Sequence, residues 1–112
     1  DHPGVRTPIT KEYTQSSHHL YPLLLNLDYL SIPRDEFIIA LKEINIGTSV
    51  LFMPLHLHSY YSNLLGHKWG DFPMAEDRFK RVICLPLSPS IPEDDIKKVT
   101  ESVLYLLEKF KR

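Results

Sequence analysis

The residues best equipped for chemistry lie close together: His56-Leu57-His58, followed at once by Ser59-Tyr60-Tyr61. In an extended backbone, residues i and i+2 point to the same side, so both imidazoles could face one ligand. Two imidazoles are half of a zinc site; a third protein ligand and groups that orient the rings complete one. His18 and His19 are adjacent and point opposite ways on a strand, so at most one of them could join. The plainer use of all four is hydrogen bonding at a surface or pocket edge. Tyr60 and Tyr61 either bring hydroxyls to the imidazoles or pack a short helix onto a sheet. Further on, Asp71, Glu76 and Asp77 form an acidic stretch that suits a helix start. Arg78, Lys80 and Arg81 could hold a carboxylate or phosphate, or form a solvated helix face. Cys84, between Ile83 and Leu85, suits a small buried residue better than a nucleophile. There is no glycine-rich phosphate loop and no G-x-S-x-G elbow, so no stand-alone catalytic motif is present.

These side chains need a frame, and the chain has room for one. Its 112 residues allow a single domain. Hydrophobic residues make up 43% and charged residues 24%, ordinary values for a globular chain. The net charge of -1 gives no electrostatic reason to expect nucleic acid or an anionic membrane as partner. No apolar run approaches the length of a membrane span. One cysteine cannot form an internal disulfide, which favours a reducing, cytoplasmic setting. The start Asp1-His2-Pro3-Gly4 has neither an initiator Met nor the regions of a signal peptide. A trimmed chain and a part of something longer are the two readings.

Residues 1–17 are polar and carry Pro3, Gly4 and Pro8, as a leader or linker does, which leaves 18–112 as one domain. A strand is predicted over 19–27, with Pro22 at an edge or a free N–H position. Pro33, Asp35 and Glu36 announce a helix with Phe37, Ile38, Leu41 and Ile44 on its buried face, and Gly47 is its expected stop. A second strand is expected over 48–53, ended by Pro54. A short helix follows over 59–65, stopped by Gly66, and another over 74–80. A third strand spans 82–85. The last helix starts near Pro92 with Glu93, Asp94 and Asp95 in its first turn. Its apolar stripe is Ile96, Val99, Val103, Leu106, Leu107 and Phe110. The fold class is therefore α+β: a small three- or four-stranded sheet with two long helices packed on it. Its strand order is left open.

Four pieces of this chain, in order, resemble the C-terminal part of the pyridoxal-phosphate-dependent sugar aminotransferases of the DegT/DnrJ/EryC1/StrS family. They are Gly4-Val5 with Ser17-His18-His19-Leu20-Tyr21-Pro22-Leu23; Arg34-Asp35-Glu36-Phe37 with Ala40-Leu41-Lys42-Glu43-Ile44-Asn45-Ile46-Gly47; Pro54-Leu55-His56-Leu57-His58-Ser59-Tyr60-Tyr61 with Gly66 and Gly70-Asp71-Phe72-Pro73-Met74-Ala75-Glu76; and Leu85-Pro86-Leu87-Ser88-Pro89 with Glu93-Asp94-Asp95. The third resembles the family's P-x-H-x-Q-P-x-Y segment, with His58 in place of its Gln and Ser59 in place of its Pro.

The resemblance implies the small domain of a fold-type I enzyme, which closes over an active site built mainly on a large domain. The large domain of the same polypeptide would supply the Schiff-base lysine and hold pyridoxal phosphate. The chain alone is then expected to carry no catalytic residue and no cofactor. His56, Tyr61, His58 and His19 match positions that shape the substrate pocket. The implied reaction moves an amino group, from glutamate, to a nucleotide-linked keto-sugar, in an enzyme that is a homodimer. Two alternatives need no large domain: a His-rich metal or small-ligand module, and a non-catalytic interaction domain. A missing large domain further predicts a large exposed apolar face.

Overall fold

The computed structural model describes residues 2–112. Its sheet has three strands in the order β1 (Val5–Arg6), β2 (Tyr21–Leu25) and β3 (Val82–Leu85), all antiparallel. The register pairs Val5 with Leu25, Leu23 with Ile83 and Pro22 with Cys84. Alternate residues therefore take opposite faces. Leu23, Leu25 and Ile83, with Val5, Tyr21 and Leu85 beside them, join the main core. Pro22, Leu24, Val82 and Arg6 line a cavity of about 470 Å³ on the other face, shared with Phe52, Pro54, Ala75 and Phe79.

The core face is covered by α1 (Arg34–Glu43) and α4 (Glu93–Lys109). Helix α1 buries Phe37, Ala40 and Leu41, one stripe at helical spacing. Its stop is Asn45, not Gly47. Asn45 takes a left-handed φ of 64°, its N–H donates to the Lys42 carbonyl, and the Ile46 N–H donates to the Leu41 carbonyl. That is a Schellman ending with Asn in the position glycine usually holds. Helix α4 buries Val103, Leu106 and Leu107, while Ile96 at its start lies exposed. Full burial of each such side chain contributes about 1.5–3 kcal/mol.

Two expectations change. Residues 2–6, read as leader, are part of the fold. Strand β1 pairs with β2, and the Asn26 amide donates to the Pro3 carbonyl at 2.9 Å. The start also meets the end of α4: His2 and Tyr29 both donate to Glu108 Oε1, at 3.0 and 2.8 Å. The second change is at 48–53. Only Ser49 reaches the sheet, exchanging two backbone hydrogen bonds with Cys84 on the free edge of β3. Val50 and Phe52 are then exposed and Pro54 ends the extended run. A fourth strand is begun and not continued.

Candidate functional site

Pro54 leads into a single 3-10 turn, Leu55–Leu57, and then into α2 (Ser59–Leu65). The turn abolishes the period-two geometry that would have put His56 and His58 on one side. His56 is buried, at 8% exposure, and its Nε2 lies 2.8 Å from Glu76 Oε1. Glu76 belongs to α3 (Pro73–Arg81) and is itself buried, at 4% exposure. The Gly70 N–H donates to both carboxylate oxygens, at 2.8 and 2.9 Å, and the Phe72 N–H donates to Oε1 at 3.2 Å. Phe72 is the residue that caps α3, so Glu76 reaches back from the first turn of the helix to the N–H of its cap four residues earlier. Gly70 is left-handed at φ 99°, a conformation that favours glycine.

One tilted and one edge-on ring contact close this unit. Phe72 sits 4.7 Å from the His56 ring and 5.1 Å from His67 by centroid. His67 Nδ1 in turn lies 3.2 Å from Asp71 Oδ2, which also accepts the Lys68 N–H. Burial pushes the Glu76 carboxyl upward, but the His56 bond and the Gly70 and Phe72 N–H groups outweigh it and hold it below its ordinary value. The Asp71 carboxyl is lowered first by the Lys68 N–H and then by His67. The loop 66–72 is thus clamped between a turn and a helix by one carboxylate.

The other expected pocket residues are placed differently. His58 donates from Nε2 to the Met53 carbonyl at 3.1 Å and stays beside the turn. Tyr61 is half-exposed, its ring edge-on to Tyr60 at 5.2 Å. His19 is exposed and lines a cavity of about 270 Å³ with Ser49, Cys84 and Leu87. Among the described residues no hydrogen bond or ring contact joins His19 to the His56 unit. Among the described residues no three His, Cys, Asp or Glu side chains are grouped to hold a metal ion. The residues that sequence reasoning missed are Glu76 as the partner of His56, and the Gly70 and Phe72 amides. An acid in the first turn of a helix was the only signal for Glu76, and nothing in the sequence tied it to a histidine twenty positions away.

Large exposed apolar side chains gather in the same stretch, among them Phe52, Leu55, Tyr60, Leu64, Leu65 and Met74. No described helix is long and apolar enough to cross a membrane.

A small antiparallel sheet with two helices on one face is an α+β architecture, and it superposes on about a quarter of the length of pyridoxal-phosphate-dependent aminotransferases. The chain belongs to the DegT/DnrJ/EryC1/StrS aminotransferase family, whose sequence profile matches residues 1–104. It is 44% identical over 102 residues to the spore coat polysaccharide biosynthesis protein SpsC of Bacillus subtilis, covering 90% of this chain and 26% of SpsC. It is 30% identical over 102 residues to a UDP-4-amino-4,6-dideoxy-N-acetyl-beta-L-altrosamine transaminase of Campylobacter jejuni, covering 91% of this chain and 26% of that enzyme. Among solved structures, the putative sugar aminotransferase Spr1654 of Streptococcus pneumoniae in its PMP-form superposes with a TM-score of 0.83 at 27% identity, over 95% of this chain and 26% of that one. PseC of Helicobacter pylori, an aminotransferase of pseudoaminic acid biosynthesis, gives 0.84 at 25% identity, over 98% of this chain and 29% of that one. The chain spans about a quarter of the length of the curated relatives it matches.

A pyridoxal group needs a lysine amine, an acid for its ring nitrogen and a cradle for its phosphate. Every lysine here is exposed, and Lys80, the one nearest in sequence to Glu76, lies over the Trp69 ring at 4.9 Å. The buried acid is already filled by His56, Gly70 and Phe72. The residues present do not by themselves fit that cofactor.

Proposed function

We propose that this chain is the C-terminal, pocket-shaping domain of a pyridoxal-phosphate-dependent enzyme that moves an amino group from glutamate to a nucleotide-linked keto-sugar. The large domain of the same polypeptide carries the cofactor and its lysine. The chain alone is inactive in this reading, because the amine that holds the cofactor belongs to the large domain. The complete enzyme is a cytoplasmic homodimer. The family match over residues 1–104 is the observation that carries the reading. Support for the substrate class comes from relatives named for UDP-sugar transamination. The gathering of exposed apolar side chains over 50–74 supports a docked large domain, since apolar surface of this kind marks contact sites.

Within this reading the chain's own work is positional. The His56–Glu76 unit fixes the turn, the loop 66–72 and the start of α3 as one rigid wall. The test compares three samples with pyridoxal phosphate, glutamate and a UDP-linked 4-keto-sugar: the complete gene product, the 112-residue chain, and the gene product lacking it. The first is expected to release amino-sugar and 2-oxoglutarate, and the other two to release neither. Turnover by the 112-residue chain alone, or by the gene product lacking it, would overturn the assignment.

A further inference from the structure

We infer that Glu76 is a positioning residue: it locks the His56 imidazole with its proton on Nε2 and leaves Nδ1 as a fixed hydrogen-bond acceptor for a hydroxyl of the bound ligand. The inference deepens the proposed function, in which that ligand is a hydroxyl-rich sugar.

The two ring nitrogens are told apart by their surroundings. Nε2 lies 2.8 Å from a carboxylate oxygen. A carboxylate that already takes N–H groups from Gly70 and Phe72 is an acceptor, so the proton on this bond belongs to the imidazole. Nδ1 has no partner among the described residues. Thr48 Oγ1, however, is the one buried side-chain polar atom among them that lacks a hydrogen bond. Nδ1 is therefore not fully sealed from solvent, although the residue as a whole is buried. The ring cannot turn to exchange its nitrogens without leaving Glu76 and sliding across Phe72.

A buried carboxylate behind an imidazole, with the second nitrogen facing outward, sets the tautomer and orientation of the ring. The outward atom is a lone pair, so it takes a hydroxyl or N–H hydrogen and rejects a carbonyl or phosphate oxygen. The opposite tautomer would reverse that choice. Glu76 touches no ligand in this scheme; its effect passes through His56.

The direct test is long-range proton–nitrogen NMR on the chain labelled with [15N]histidine, about two units above the ordinary histidine pKa of about 6.5. His56 is expected as a single Nε2–H tautomer, and the exposed His19 as a mixture that serves as internal reference. In Glu76→Gln one amide oxygen replaces two carboxylate oxygens for three donors, and His56 is expected to move toward the mixture. A wild-type His56 that is mixed or protonated on Nδ1 overturns the inference, as does an unchanged signature in E76Q. If E76Q does not fold, the wild-type spectrum still decides the tautomer, and Glu76→Asp, which keeps the charge but withdraws it by one methylene, is expected to lie between. In the complete gene product, E76Q and His56→Gln are each expected to lower kcat/KM by roughly 2–10-fold, as the net loss of one hydrogen bond does, and together by no more than the larger effect. Multiplied losses would mean that Glu76 acts independently of His56. The tautomer is read without turnover, so a gene product that transfers no amino group would count against the proposed function and leave this readout intact.

Discussion

Replacing Gly4 by Ala tests whether the first residues belong to the fold. A Cβ built on Gly4 would meet Tyr29 Cδ1 at 2.8 Å, Tyr29 Cε1 at 3.0 Å and His2 Nδ1 at 3.1 Å. The Tyr29 ring is not free to step aside. Its hydroxyl donates to Glu108 at 2.8 Å, and its carbonyl accepts the Arg112 N–H at 3.0 Å. Displacing it would loosen the joint between the N-terminus, the turn at 26–31 and the end of α4. Forcing an extra carbon into such a site costs about 1–3 kcal/mol. Each kcal/mol lowers Tm by roughly 4–8 °C in a small domain, so Gly4→Ala should melt roughly 5–20 °C below wild type. Gly47→Ala is the matched control, because nothing lies within 4 Å of its added Cβ. That variant should hold wild-type stability or gain up to about 1 kcal/mol from a less flexible unfolded chain. Thermal unfolding followed by circular dichroism reads both. Equal Tm values for the two variants would refute the packing described for residues 2–6.

Three further outcomes are expected. Asp71, Glu76 and Glu108 are each held below their ordinary values, 3.8 for Asp71 and 4.5 for the two glutamates. The folded chain then binds fewer protons than the unfolded one just below those values, so stability is complete at neutral pH and declines as pH falls below about 4.5; chemical denaturation across that range measures it, and stability that is flat or rises on acidification contradicts it. Burial pushes the Cys84 thiol upward, more than its contact with Ser49 lowers it, so the native chain should react with a thiol reagent only as fast as it unfolds; rapid stoichiometric labelling would place Cys84 at the surface. In hydrogen exchange, the Gly70 and Phe72 amides should be protected in wild type and lose that protection in Glu76→Ala, while the Ile46 amide in the ending of α1 keeps its own.

The helices were legible because their signals are local. Pro33, Asp35, Glu36 and the spacing of Phe37, Ile38, Leu41 and Ile44 announce α1 without any help from distant residues, although the buried stripe proves to be Phe37, Ala40 and Leu41. Gly66, left-handed at φ 71°, ends α2 as expected. The strands were harder because a strand is completed by its partner. Val5–Arg6 is too short to show a period, and only pairing with Leu24 and Leu25 makes it part of a sheet. Residues 48–53 have strand-like composition, yet only Ser49 finds a neighbour. At the site, His56 stood out as a residue type, but the period-two geometry assigned to it failed at Pro54, where the backbone enters a 3-10 turn. Its link to Glu76 spans two elements, and no spacing rule along one element reveals such a bond. The stretch of exposed apolar residues was anticipated only through the family resemblance.

The central claim is that this chain serves amino transfer to a nucleotide-linked sugar. Its most direct test supplies the complete gene product with pyridoxal phosphate, [15N]glutamate and a UDP-linked 4-keto-sugar, and follows the label by mass spectrometry. The 15N is expected to appear in the nucleotide sugar, and 2-oxoglutarate to accumulate in equal amount. Nitrogen that stays in glutamate with every nucleotide-linked keto-sugar offered, while the purified protein is folded and holds its cofactor, would contradict it.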